Sequence, residues 1–177
     1  LPISLRSFQI SGAQLTQLSS LALPSTVPFF SGTRPAGVQK LFVGGGVAYV
    51  GAGDGSTGGF ITVNVSNPAA MAVLSGVDSN SVAGTAIVPN GSGLAVAVGA
   101  SDFSIGGFKS LDVLNVSDPT KTDSFVTRYS LPQVPRDVVI ANGLAFVADG
   151  SGGLQIVNYA SFDTKGKAPT VSVSVDA

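Results

Sequence analysis

Residues 136–158 read Arg136-Asp-Val-Val-Ile-Ala-Asn142-Gly143-Leu-Ala-Phe-Val147-Ala-Asp149-Gly-Ser-Gly-Gly153-Leu154-Gln-Ile-Val-Asn158. Two apolar runs flank an Asn-Gly pair, which supplies the positive φ that a tight hairpin turn needs. An Asp- and Gly-rich loop then leads to a third run. Val, Ile and Phe dominate all three, and they suit a pleated, half-buried surface. The stretch predicts three consecutive strands, at 137–141, 144–147 and 154–158.

Upstream, the same grammar occurs twice more. First strands are expected at 38–43 and 85–88, followed by turns at Gly44-Gly-Gly46 and Pro89-Asn-Gly-Ser-Gly93. Second strands follow at 47–50 and 94–98, then Asp/Gly loops at 53–59 and 99–107, then third strands at 60–64 and 111–115. A turn carrying Asn67-Pro68, Asp118-Pro119 or Ala168-Pro169 leads to a polar fourth strand, at 71–75, 124–129 or 170–175. The spacing is regular, with 48 residues from Val50 to Val98 and 49 from Val98 to Val147. A period of about 40–50 residues with four short strands in each unit is the signature of β-propeller blades. An isolated blade cannot cover both of its faces, so blades must pack on one another. A β-sandwich is the alternative; it too shows short strands and turns, without the period.

The expected organisation is an N-terminal hairpin and Pro-rich segment at 1–36, read as outer strands of a preceding blade, then three propeller repeats at 37–177, about 38–78, 84–131 and 136–177. The hairpin runs over 6–10 and 14–23 around Ser11-Gly12, and the Pro-rich stretch covers 24–35. Closed propellers need about 4–8 blades. Three units therefore imply part of a larger propeller, completed by the remainder of a longer chain or by self-association. Residues 1–20 carry no basic start followed by an apolar stretch, so no signal peptide is read there. The 170–175 segment alternates with period two and reads either as a last outer strand or as the start of a following domain.

Composition closes off several chemistries. Among 177 residues there is no His, Cys, Trp or Glu, and all 10 acids are Asp. A Ser-His-Asp triad, a thiolate nucleophile, a disulfide or a typical zinc site needs an imidazole or a thiol that the sequence does not have. Nine Lys and Arg against ten acids give a net charge of −1, with no basic footprint for nucleic acid. No apolar run is long enough for a membrane span. Low charge and many Ser, Thr, Gly and Asn residues suggest an extracellular or cell-surface location that does without disulfides.

The third-strand phrases Leu111-Asp-Val-Leu-Asn115 and Leu154-Gln-Ile-Val-Asn158 follow Gly-rich loops. Val65-Ser-Asn-Pro68 and Val116-Ser-Asp-Pro119 follow two of the three such strands. Over residues 38–177 the pattern resembles the LVIVD repeat family. That resemblance implies β-propeller repeats of bacterial or archaeal surface and secreted proteins, with no shared enzymatic activity. Where the family ends the strand on Asp, this sequence has Asn64, Asn115 and Asn158. Asn makes the same Asx-type turn bonds, so the fold expectation stands, while a charge-dependent role at that position does not carry over.

Candidate sites are few. Gly53-Asp-Gly-Ser-Thr-Gly58 has the spacing of a dinucleotide loop but precedes a β-branched strand rather than a helix, so no helix N-terminus receives a pyrophosphate. The loop acids Asp54, Asp102 and Asp149 follow Val50, Val98 and Val147 by 4, 4 and 2 residues and would line one end of a ring. They could hold a weakly bound Ca²⁺ or hydrogen-bond a surface glycan; capping of their own turns is the simpler expectation. The glycosylation patterns at Asn64, Asn90 and Asn115 are read as turn chemistry, and Phe29, Phe30, Phe103, Phe108, Phe125 and Phe162 as packing between blades. The functional expectation is a non-catalytic, adhesive or structural segment without catalytic residues, resident metal or cofactor. Glycan or calcium binding, or a glycan-active propeller enzyme using two Asp carboxyls about 5–9.5 Å apart, is the alternative.

Overall fold

The computed structural model describes residues 4–23, 26–29, 32–35, 40–51, 59–75, 84–100 and 108–163. Every sheet in it is antiparallel. An N-terminal hairpin pairs β1 (Ser4–Ser11) with β2 (Gln14–Ala22). A short second hairpin, β3 (Thr26–Phe29) with β4 (Gly32–Pro35), lies in the Pro-rich part of the segment read as outer strands of a preceding blade. An isolated two-stranded pair tolerates Pro28 and Pro35 because it has free edges, where a missing N–H is harmless.

Three sheets follow in chain order, each a simple meander. The first runs β5 (Leu41–Gly44), β6 (Val47–Gly51), β7 (Phe60–Asn64), β8 (Ala72–Ser75). The second runs β9 (Ala86–Pro89), β10 (Leu94–Ala100), β11 (Lys109–Asn115), β12 (Phe125–Ser130). The third comprises β13 (Asp137–Ala141), β14 (Leu144–Ala148) and β15 (Leu154–Asn158). Its expected fourth strand, at 170–175, lies outside the described residues, as does most of the loop at 53–59. Small meander sheets stacked in sequence order are propeller-like blades, not the two broad sheets of a sandwich.

The register assigns each side chain to a face. In the second sheet Ala95 and Ala97 point toward the first sheet and share a cluster with Tyr49, Phe60 and Ile87. Their neighbours Leu94, Val96 and Val98 point the other way and share a cluster with Val138, Ala145 and Val147 of the third sheet. The first sheet repeats the pattern, with Ala48, Val50, Ile61 and Val63 packed against Leu5, Leu21 and Leu23 of the N-terminal hairpin. On its second strand each sheet thus turns Ala and Val backward and bulkier side chains forward. Sequence period two and burial on both sides of β6 and β10 follow directly. The first strands converge, since β9 touches β5, β6 and β13. There Lys40 Nζ bonds Asp137 Oδ1 at 2.5 Å and the Val138 carbonyl at 2.8 Å, tying the first unit to the third.

Each unit is stitched shut at the same point. Val65, Val116 and Tyr159 N–H groups donate to the carbonyls of Gly46, Gly93 and Gly143, the turn glycines before each second strand. Gly143 sits at φ +77°, and a Cβ there would lie 2.5 Å from the Ala160 side chain. Gly143→Ala is expected to lower stability by about 1–3 kcal/mol, and by more than Gly12→Ala, whose turn is open to solvent. Urea denaturation of the two variants checks this, and equal losses would show that the Ala160 contact is immaterial.

Candidate functional site

The ends of the third strands carry the most regular polar chemistry in the molecule. Asn64 Oδ1 accepts from the Ser66 N–H at 3.0 Å and the Ser66 hydroxyl at 2.6 Å. Asn115 Oδ1 accepts from Ser117 in the same two ways, at 3.0 and 2.6 Å. Asn158 Oδ1 accepts from the Ala160 N–H at 3.0 Å. These are Asx turns, so the strand-ending Asn acts as a fold element rather than as a ligand. A neutral amide serves as well as a carboxylate, which explains the tolerance of Asn there.

The next residues bolt a unit to its predecessor. The Pro119 carbonyl accepts from the Thr62 hydroxyl of the first sheet at 2.6 Å. The Pro68 carbonyl accepts from the hydroxyls of Ser7 and Ser19 in the N-terminal hairpin, at 2.5 and 2.8 Å. In the third unit a turn forms at 159–163, and Pro169 lies outside the described residues. Asp163 there accepts from Asn90 Nδ2 at 3.1 Å and the Ser92 hydroxyl at 2.7 Å, and Phe162 meets the Tyr129 ring edge-on at 6.4 Å. The Asn90 pattern is likewise occupied by turn bonding, through Ser92. In the neighbouring turn, the Thr120 hydroxyl and N–H hold the Asp118 carboxyl below the usual range.

Asp149 stands alone as a test of the loop acids, since Asp54 and Asp102 lie outside the described residues. It is fully buried, not presented to solvent. Its Oδ2 accepts from the Gln133 N–H at 3.0 Å, and its backbone pairs with Gly152 and Gly153 across the loop. Its Oδ1 is buried without a hydrogen-bond partner. Among the described residues no three acids converge as metal ligands would.

Two features were not anticipated. Asp112, in the apolar run of β11, is fully buried, and Arg128 of the paired strand β12 holds it bidentately, Nε to Oδ1 and Nη2 to Oδ2, both at 2.7 Å. The Arg128 guanidinium also lies 3.9 Å from the centroid of the Phe108 ring and 5.5 Å from that of Phe125, and bonding to Asp112 raises its pKa further. Phe108 and Phe125 therefore hold an arginine; Phe125 is exposed rather than packed between blades. A lone Asp inside an apolar strand was the signal available in the sequence. The second feature is a cleft of about 650 Å³ where the turns of the first and second sheets meet, lined by Phe42, Tyr49, Pro89, Asn90 and Val116 among others. Its volume suits a small ligand. It opens at the Asx-turn end, opposite the loop that carries Asp149.

Removing Arg128 leaves a buried carboxylate uncompensated, so Arg128→Met is expected to cost about 3–5 kcal/mol, with most of the loss recovered in the Asp112→Leu/Arg128→Met double variant. A thermodynamic cycle of the three variants measures it. Burial pushes the Tyr49 hydroxyl above its ordinary pKa of 10.0. The folded state then holds this proton where the unfolded state has lost it, so stability falls as pH rises from about 10 toward the raised value. Melting temperature against pH should drop less steeply in Tyr49→Phe.

The LVIVD repeat model matches this chain at residues 37–79 and 135–158, the first and third units. The unit between them has the same meander and the same Asn-closed turn. No curated protein and no solved structure matches the chain. No helix among the described residues is long and apolar enough to cross a membrane.

Proposed function

We propose that this chain of LVIVD repeats, a β-propeller-type repeat segment, is a non-catalytic scaffold that works by associating with protein, in an extracellular or cell-surface setting. The observation that carries the reading is how its polar groups are spent. Asn64, Asn115 and Asn158 close turns, Asp112 is clamped by Arg128, and Asp149 is shut inside its own loop. A glycosidase-type mechanism needs two carboxyls open to the same sugar, one to donate and one to attack or activate water. Asp149 in its buried position cannot serve as either. Large apolar side chains, by contrast, stand exposed on the two outermost sheets of the stack, as association requires.

The location rests on composition: low charge, no cysteine, and abundant Ser, Thr, Gly and Asn. A second reading, binding of a surface glycan, is favoured by the cleft with its aromatic wall of Phe42 and Tyr49 and the nearby Asn90 amide. Incubation with a glycan panel is expected to release no product, and Asp54→Asn/Asp102→Asn is expected to leave both fold and association unchanged. Calcium is expected to leave the melting temperature where it was, since a ligand that binds the folded state must raise it. Turnover abolished by the double variant would overturn the scaffold reading in favour of an enzyme. Retention on a glycan, lost in Tyr49→Ala, would replace protein association with sugar binding.

A further inference from the structure

Among the described residues the stack has a direction, and both of its ends are open. Along the chain, the forward face of each sheet meets the backward face of the next: hairpin on first sheet, first on second, second on third. The turn bonds fix the equivalences, because Gly46, Gly93 and Gly143 accept the same hydrogen bond. Counting from them, Leu154 and Ile156 in the third sheet correspond to Leu111 and Val113 in the second. Leu111 and Val113 are 0% exposed, covered by the third sheet, whereas Leu154 is 65% and Ile156 58% exposed. Val139 lies on the same open face, paired through Phe146 to Ile156.

At the other end, the hairpin turns Leu5, Ser7, Ser19 and Leu21 toward the first sheet. Its serines occupy the role that Thr62 plays one unit later, bonding the proline carbonyl of the following unit. The hairpin is thus the forward-facing partner of the first sheet, and its outward side is a backward face. Phe8, Ile10 and the cross-strand partner of Ile10, Leu15, project there, with Ile10 76% exposed.

We propose that the open forward face of β13–β15 is an interface filled by the outward face of the β1–β2 hairpin of a second copy of this chain. The inference rests on the scaffold reading above and names its partner. Continuity with the three internal interfaces carries it: each joins a forward face to a backward face, and the new contact repeats that polarity. The backward faces of the second and third sheets are packed against their predecessors, and the hairpin covers the centre of the first sheet's, at β6 and β7, leaving Leu41, Val43 and Val73 open on its edge strands. The hairpin's outward side is the outermost backward face among the described residues. Such a head-to-tail contact is heterologous. Two copies with four stacked sheets each would bring eight, inside the range of about 4–8 for closed propellers; if the rotation does not close, the same contact extends the stack.

Light scattering and sedimentation of the 177-residue chain across a concentration series test this. The expected result is a mass of twice 17.6 kDa or a higher multiple. Ile156→Lys and Ile10→Lys, each at an exposed position and each checked for an unchanged melting temperature at low concentration, should both weaken association at least tenfold. Mixing the two variants should restore it in part, because a mixed pair keeps one unaltered face-to-hairpin contact. A monomer at every concentration would overturn the proposal and leave the face to a sheet other than this hairpin, in a longer form of the chain or in another polypeptide. Association weakened by Ile156→Lys but indifferent to Ile10→Lys would also overturn it, since the third sheet would then meet something other than the hairpin. Neither result bears on glycan turnover, so the failure of this inference and of the scaffold reading are told apart.

Discussion

Where Ala95 and Ala97 of one sheet lie against Tyr49 and Phe60 of the sheet before it, two pleated surfaces bury their apolar side chains against each other. Small methyl side chains on one side and large apolar ones on the other let neighbouring sheets nest at about 10 Å. A single meander of four short strands has almost no interior of its own and is marginal alone. The stack supplies what each sheet lacks, and strand burial, turn position and the open ends of the molecule all follow from this contact. Enlarging the small face would force the sheets apart; polar groups on the bulky face would be stranded between them.

The turns serve that contact. A sheet can present a flat Ala/Val face only if its strands start and stop in register, and the Asn-closed turn beneath each hairpin glycine fixes where the third strand ends. The proline carbonyl a few residues on then pins the unit to the hydroxyls of its predecessor. One short phrase of sequence sets register within a sheet and spacing between sheets. Its polar atoms are committed to the fold, which is why they make poor candidates for chemistry.

The strand order was legible from three apolar runs, one positive-φ turn and a Gly-rich loop in each unit, because those signals are local. Most boundaries moved by a residue or two: β11 begins at Lys109 rather than 111 and β10 continues to Ala100, while β5 begins at Leu41 rather than 38. What depends on contacts between neighbouring strands and sheets was not legible. The Arg128–Asp112 clamp joins residues 16 apart, and nothing local told that Arg128 would cross the strand pair rather than face water. Phe125 and Phe108 were read as packing because an isolated aromatic residue carries no mark of the cation beside it. The Pro-rich stretch was read only in outline, as outer strands, because prolines that usually argue against strands masked the β3–β4 pairing itself. Asp149 was grouped with Asp54 and Asp102 by loop composition, although its shorter offset from the preceding valine already set it apart.

Linear repeat arrays, in which a unit touches only its neighbours, unzip from an end one repeat at a time. The Lys40 ammonium breaks that rule here by holding Asp137 and the Val138 carbonyl two units away. The contact is partly exposed and modest in energy, about 0–1 kcal/mol for the ion pair. Its effect is on cooperativity: fraying of the third unit's first strand costs the first unit a bond as well, so the inner edges of units that are not sequence neighbours are coupled.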